Sequence, residues 1–364
     1  MACLIKAPDG IGKGCVSFTT PERDQLIFTD AALRAAVERL KERYVVGLHH
    51  NWHDHAFSYD PLFDFSMAGA GDLIERDSQD FPQVPIDACN FAPPWFVPDV
   101  RQEPFWDILN VARAVDFKGI PQFLEAIRKL YDRGSQLRVL FLCATKDSEK
   151  LTGIPDLRRY FEAMFSPTER FRFTLMTMDW DYPFPLDLET LGVFYRSSRI
   201  FVHAAPDERR CRTAGYAWAS GKPVVARKNV ASILPPELRK PPYYFGYDNY
   251  SAFADAIEAA IRHDLKGQEW GSVSAEFQAG ASAGRFDAFL VDWAASRPGM
   301  NISRAPINPL GLDIRLGRHH GLSTGANRIN QSIEKLVDLL SRASHQDILS
   351  YSLESDPERW LETL

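Results

Sequence analysis

Short apolar runs and helix-spaced apolar residues alternate along the middle of the chain. The continuous run Arg138–Cys143 is typical of a parallel strand that is covered on both faces, whereas Ile120–Asp132 carries its apolar residues at helical spacing. Strand and helix patterns follow one another in this way throughout residues 104–263. This alternation predicts a doubly wound parallel sheet.

The pattern before residue 100 is weaker but still alternates. Helices are predicted over Ala31–Arg43 and Ala70–Asp77, and strands over Tyr44–Leu48 and Val84–Asn90. The proline-rich segment Phe91–Pro98 follows, and we expect a domain boundary there.

The end of the chain has the form of the beginning of a nucleotide-binding fold. A predicted strand, Leu312–Leu316, runs into the glycine-rich loop Gly317–Gly325 and then into a helix, Ala326–Ser341. We therefore expect an α/β unit at this end.

Composition places the chain among ordinary globular proteins. Its 364 residues suggest two domains, and a net charge of -6 argues against a nucleic-acid partner. Five widely spaced cysteines indicate reduced thiols and a cytoplasmic protein, and the first residues lack the pattern of a signal peptide. A peripheral contact with the inner face of the membrane stays open.

Four of the nine histidines, His49, His50, His53 and His55, follow the predicted strand Tyr44–Leu48. They are consistent with a metal site or with the polar rim of a ligand site. No suitably spaced carboxylate or cysteine accompanies them, so we predict no metal and expect one of these histidines near a ligand.

A βαβ pattern in residues 199–226 places an acid where ligands bind. A strand over Arg199–Ala204 leads into a polar loop with Glu208, a short helix over Cys211–Ser220 and a strand over Val224–Ala226. Open α/β sheets bind ligands in the loops at the carboxyl ends of their strands. Glu208 is therefore a candidate ligand contact; the alternative is a surface acid paired with a neighbouring arginine.

Three motifs in residues 104–263 resemble one enzyme family. Val111-Ala-Arg113 with Lys118-Gly119 is similar to a Gly-Arg…Lys-Gly pair, and Tyr195–His203 is similar to a helix-to-strand step. Glu208 with Ala217–Ala226 resembles a Glu-x7-Glu loop and its Ala-Met-Ala-Cys-Gly-x-Pro-Val-Val tail. The family is the GT-B glycosyltransferases of the retaining family 4 type (glycosyl transferases group 1).

The resemblance implies an α/β fold of two Rossmann-like, doubly wound parallel-sheet domains that face a cleft. Residues 101–304 would bind the nucleotide-sugar donor, and residues 1–100 plus 305–364 would form the acceptor-side domain. In that arrangement the first βα unit of the family stands last, as in a circular permutant; the alternative is an appended βα unit.

The resemblance also implies roles for individual residues. Arg113 and Lys118 would hold the diphosphate, and Glu208 would accept hydrogen bonds from the donor sugar. His50 would face Glu208 from the other domain. We expect these four residues to be catalytic.

Three further residues complete the implied donor site. Gly321 and Gly325 would let backbone amides approach the donor. Tyr216 stands where the family has its second glutamate, which binds ribose, so a hydroxyl replaces a carboxylate there.

The implied function is retaining hexosyl transfer from a UDP- or GDP-sugar to a carbohydrate or glycolipid acceptor, as in polysaccharide biosynthesis. No obligatory cofactor or metal is implied. Tyr216 keeps an alternative open, a non-catalytic GT-B-like protein that binds sugars or serves as a scaffold. A nucleotide-sugar hydrolase or epimerase on the same fold is a third alternative.

Overall fold

Two sheets organise the chain, one in each of two units of the computed structural model. The first unit combines Met1–Phe91 with Ala279–Leu364, and the second is the continuous segment Ala92–Gln278. The structure describes residues 3–348 except 50–55, 58–59, 68–74, 77–81, 85, 87–88, 90, 100, 146–150, 179–180, 182–185, 209–210, 264–268, 308–332, 334–335, 345 and 347.

The second unit is built on six parallel strands. They are β8 (Trp106–Arg113), β9 (Val139–Ala144), β10 (Phe173–Thr177), β11 (Ser198–Val202), β12 (Val224–Arg227) and β13 (Tyr244–Tyr247). They lie in the order β10-β9-β8-β11-β12-β13, and every neighbouring pair is parallel. Numbered within the unit, this is the order 3-2-1-4-5-6 of the Rossmann fold.

Helices of the second unit connect these strands. They are α3 (Ile120–Asp132), α4 (Leu157–Met164), α5 (Pro167–Arg170), α6 (Leu188–Arg196), α7 (Arg212–Ala219), α8 (Phe253–Arg262) and α9 (Gly271–Phe277). The apolar face of α3 packs on β9 and β10 through Phe123, Phe141 and Phe173, all of them buried. No helix in the described ranges is both long enough and apolar enough to cross a membrane.

The first unit has a smaller and less regular sheet. Its strands are β1 (Cys3–Lys6), β2 (Gly14–Thr19), β3 (Tyr44–His49), β5 (Phe65–Met67) and β7 (Gln83–Val84), in the order β1-β2-β3-β5-β7. Only β1 pairs antiparallel among them. Its helices include α1 (Thr20–Glu22), which runs into a π-helical turn at Arg23–Ile27, and α2 (Ala31–Leu40). The predicted α/β class with two largely parallel sheets is confirmed.

The long helix α10 (Ala279–Ala295) belongs to the first unit, although the predicted boundary placed it in the second. Its Phe286 and Trp293 pack edge-on against Phe65 of β5. The second unit therefore ends at Gln278 and not at residue 304. The sequence predicts a helix over Phe286–Trp293, within α10, but does not predict which sheet it covers.

Residues near the end of the chain also contribute to the first unit. Leu336, Val337 and Leu340 are buried in one apolar cluster with Val46 and Leu48 of β3. The predicted strand Leu312–Leu316, on which the permutation hypothesis depends, lies outside the described residues, so the hypothesis stays a prediction.

Two predicted elements of the first unit are wrong in part. Within the helix predicted over Ala70–Asp77, Glu75–Arg76 instead form the strand β6, which pairs with β4 (Ala56–Phe57). The strand predicted over Val84–Asn90 ends at Val84. Strands of two residues are too short to show any periodicity in the sequence.

We expect Phe286→Ala to lower the free energy of unfolding by about 3–5 kcal/mol, because it removes a fully buried ring from the contact with Phe65. Val291→Ala on the same helix is the matched control. Its side chain is 52% exposed, and we expect a change below about 0.5 kcal/mol. Urea unfolding of both variants measures the difference, and equal effects would contradict the packing of α10 on β5.

Candidate functional site

Strands β8 and β11 are neighbours at the point where the strand order of the second unit reverses. Three strands lie to one side of this point and three to the other. The Nδ2 atom of Asn110 in β8 donates to the carbonyl oxygen of Val202 in β11 at 2.8 Å, which ties the two strands together. The loops that follow β8 and β11 therefore form the crevice where sheets of this order bind ligands.

The loop after β8 is fixed by a glycine. The short 3-10 turn Asp116–Lys118 ends at Gly119, which has φ +64° and directly precedes α3. A β-carbon at Gly119 would lie 2.2 Å from the carbonyl oxygen of Ala204, in the loop after β11. Only glycine allows this approach, which holds Lys118 beside the second loop.

The hydroxyl of Tyr250 contacts the same carbonyl oxygen. It donates to Ala204 O at 2.8 Å. Ala204 is therefore held by a hydrogen bond from Tyr250 and by close backbone contact with Gly119.

The centre of the site is a carboxylate between two cationic side chains. The Nζ atom of Lys118 lies 2.6 Å from Oε2 of Glu208, and Nε2 of His203 lies 2.8 Å from the same oxygen. The side chains of Lys118 and Glu208 are 14% and 12% exposed, and that of His203 is 2% exposed. The sequence therefore brings together a lysine from the β8 loop with an acid and a histidine from the β11 loop.

The pKa values of Glu208 and His203 reflect this arrangement. Burial alone would raise the pKa of Glu208, but His203 and Lys118 outweigh it and lower that pKa to about 2. Burial would likewise lower the pKa of His203, but Cys211 and Glu208 outweigh it and raise that pKa to about 9. At neutral pH the site is thus an ion cluster of one carboxylate and two cations.

Cys211 is the third potential metal-binding side chain of the cluster. It is fully buried at the N-cap of α7, and its sulfur, an imidazole nitrogen of His203 and a carboxylate oxygen of Glu208 lie within 4.8 Å of one another. Such donors suit zinc. Lys118 lies 2.6 Å from the same carboxylate, so a metal ion there would face a cation, and the absence of an obligatory metal stays a prediction.

Arg113 and Tyr216 occupy different environments within the second unit. Arg113 is the last residue of β8 and is exposed at the same sheet edge as Lys118. Tyr216 is 3% exposed in α7, and its ring stacks on Phe96 with 4.0 Å between the ring centroids. The ring of Tyr216 is therefore part of the core, and its contact with ribose stays a prediction.

The predicted site residues of the first unit are mostly outside the described part of the chain. His50, Gly321 and Gly325 fall in the ranges that the structure does not describe, so their roles stay predictions. The neighbouring His49 is the last residue of β3 and is buried, at the carboxyl end of a parallel strand.

His203 is the residue that sequence reasoning missed. It continues the apolar run of β11, so its position suggested only the end of a strand. The signal that could have identified it is its position. His203 directly follows β11, and Glu208 stands five residues later in the loop after the same strand.

No protein-family model matches the chain, and no curated protein matches it in sequence. Among solved structures it is similar to the pneumococcal O-GlcNAc transferase GtfA in complex with UDP and GlcNAc, with a TM-score of 0.48 and 11% identity. That match covers 71% of this chain and 54% of GtfA, so the chain spans about half the length of that relative.

Two further similar structures are enzymes of disaccharide phosphate synthesis. Sucrose-phosphate synthase from Thermosynechococcus elongatus has a TM-score of 0.49 and 16% identity over 76% of this chain and 80% of that one. Trehalose-6-phosphate synthase from Burkholderia multivorans has a TM-score of 0.45 and 13% identity over 72% of this chain and 76% of that one. These three structures are GT-B glycosyltransferases. With TM-scores below 0.5 and identities of 11–16%, the likeness does not assign an activity to this chain.

We expect Gly119→Ala to lower the free energy of unfolding by about 2–4 kcal/mol, because its β-carbon would collide with Ala204 O in a left-handed backbone conformation. Gly134→Ala is the control, since Gly134 has φ +84° with nothing within 4 Å of the added carbon. Only the cost of the backbone conformation, about 1–2 kcal/mol, applies there. Urea unfolding compares the two, and an equal loss would argue against the close approach of the loops.

Protonation of His203 should appear in the pH dependence of stability. The pKa of His203 is raised from 6.5 to about 9 in the folded protein. Its protonation therefore stabilises the fold fully below pH 6.5, and this contribution is lost as the pH rises to about 9. We expect the wild type to lose as much as about 3 kcal/mol more over this range than His203→Gln. Urea unfolding at several pH values measures the slopes. Parallel slopes for wild type and His203→Gln would contradict the ion pair.

Proposed function

We propose that this protein is a retaining glycosyltransferase that moves a hexosyl group from a UDP- or GDP-sugar to a carbohydrate or glycolipid acceptor. The observation that carries the proposal is the pairing of Lys118 with Glu208 at the carboxyl ends of β8 and β11. One cation and one carboxylate are thereby fixed together in the crevice where a donor would lie.

Lys118 supplies the positive charge that transfer from a nucleotide-sugar requires. Charge grows on the diphosphate as the bond to the sugar breaks, and a cation placed beforehand stabilises it. An ammonium group has three donors, so Lys118 can contact Glu208 and a phosphate oxygen together. Arg113, exposed at the same edge, offers a planar fork that matches a second phosphate oxygen.

Glu208 suits the sugar side of the same donor. Its low pKa keeps it ionised at neutral pH, so it can accept hydrogen bonds from sugar hydroxyls and balance positive charge on the sugar ring. Both of its contacts with described residues fall on Oε2, which leaves Oε1 for a ligand.

The neighbouring acids favour transfer over two-carboxylate hydrolysis. In the described parts of the two loops, Asp116 accepts from the hydroxyl of Thr152 at 2.5 Å and Asp207 accepts from Asn229 at 2.7 Å. Glycosidases need a second acid opposite the first across the scissile bond. Glu208 is the acid that Lys118 and His203 hold at the centre of the crevice, so we propose transfer. Retention and the absence of an obligatory metal are proposed from the family resemblance.

The burial of Tyr216 favours a second candidate function. Its ring stacks on Phe96, in the place where the resembled family carries an acid. A protein that binds a sugar nucleotide without turning it over, as a sensor or scaffold, would tolerate this replacement.

Lys118→Ala tests the proposed function. We expect UDP- or GDP-sugars at millimolar concentration to raise the melting temperature of the wild type, since a ligand that binds only the folded state stabilises it. Lys118→Ala should lose most of this shift. It should also slow the release of nucleotide from the donor by about 100- to 1000-fold, because a charge that meets the leaving group is removed.

Lys129→Ala is the matched control, since Lys129 is an exposed lysine of α3 and should leave both readouts unchanged. Proton NMR of the freshly released sugar reports its anomeric configuration, which should equal that of the donor. Inversion would contradict retention. A thermal shift without turnover would favour the second candidate, and neither shift nor turnover would contradict both.

A further inference from the structure

His203 is a buried partner of Glu208 that no solvent-borne ligand can reach. Its side chain is 2% exposed, whereas that of Lys118 is 14% exposed. Both contact Oε2 of Glu208. The two cations of the cluster therefore differ in what else they can bind.

The position of His203 is fixed by its backbone and by its neighbours. Its amide donates to Val225 O at 2.8 Å, and its carbonyl oxygen accepts from the hydroxyl of Tyr247 at 3.3 Å. Its ring lies nearly parallel to that of Phe201, at 6.4 Å between centroids. The imidazole has little freedom to leave Glu208.

We infer that His203 is a positioning residue: its buried Nε2, 2.8 Å from Oε2 of Glu208, holds the carboxylate so that Oε1 is presented to the donor sugar. The inference rests on the proposed function, and it assigns to His203 a task that Lys118 cannot perform alone. When a phosphate enters, part of the hydrogen bonding of Lys118 turns towards it. While Lys118 shares its donors between Glu208 and the phosphate, His203 stays wholly on the carboxylate and keeps it in place.

The groups around His203 determine when it carries its charge. Glu208 and Cys211 face it from its own loop and the start of α7, Lys118 acts on it through Glu208, and Tyr247 approaches it from β13. Its pKa of about 9 means that the imidazole is charged at neutral pH and loses its proton in alkaline solution. Of its two cationic partners, Glu208 would then keep only Lys118.

Donor hydrolysis by His203→Gln tests the role in catalysis. Glutamine keeps a hydrogen-bond donor but not the charge, so we expect kcat to fall about a hundredfold, as for a misplaced catalytic group, with a smaller change in KM. The wild-type rate should decline near pH 9, and the residual rate of His203→Gln should lack this decline. His263→Gln is the control and should match the wild type at every pH.

Histidine NMR tests the ion pair without any activity. The imidazole signal of His203 is the one missing from His203→Gln. We expect it to report a protonated ring up to at least pH 8 in the wild type, and to titrate at lower pH in Glu208→Gln. Titration near pH 6.5 in the wild type would overturn the inference even if the His203→Gln variant proved unstable.

The outcomes separate this inference from the proposed function. If the wild type turns over a donor and His203→Gln matches it in kcat and pH profile, the positioning role is overturned and the proposed function stands. If the wild type neither binds nor turns over any donor, the proposed function is contradicted, and so is the positioning role of His203, which rests on it. An NMR titration that still shows the protonated ring would then identify the pair as purely structural.

Discussion

The arrangement of the site depends on a largely buried carboxylate, that of Glu208, which lies between two cations. Glu208 comes from the loop after β11, and Lys118 reaches it from the loop after β8. The two loops meet because their strands are parallel neighbours and because Gly119 allows the backbones to touch. An acid with its charge compensated on two sides can be buried at neutral pH, whereas an isolated one would take up a proton or turn outwards.

The two cations of the cluster differ in exposure, and we propose different roles for them on that ground. Lys118 is partly exposed, so a ligand can compete for it, whereas His203 is enclosed by β12, β13 and its own loop. A carboxylate with one permanent and one exchangeable partner keeps its orientation while the site fills. That property suits a site in which the same lysine has to meet an incoming phosphate.

Much of the second unit could be predicted from the sequence, and the reason is periodicity. Continuous apolar runs and helix-spaced residues gave its strands and helices, with α3 found at its observed bounds, Ile120–Asp132. Glu208 could be found because it follows a strand, whereas Lys118 could be found only because its motif resembles that of a known family. His203 could not, because an apolar run that ends in histidine does not show that the imidazole turns towards an acid five residues later.

The strands and packing of the first unit were harder to predict from the sequence, for a different physical reason. Its short strands, such as Glu75–Arg76, have no measurable period, and α10 shows an apolar face without showing which sheet it covers. That choice is made by Phe65, far away in the sequence, whose ring meets Phe286 and Trp293. Contacts between distant segments leave no local signal in the sequence.

The discontinuity of the first unit affects how the chain acquires its structure during synthesis. The second unit is continuous, so it can fold as soon as it has left the ribosome, as domains generally do. The amino-terminal strands emerge earlier, but Phe65 lacks its aromatic partners until α10 has been made. The amino-terminal strands are thus completed only after the second unit has been synthesised, and part of their apolar surface stays uncovered in the interval.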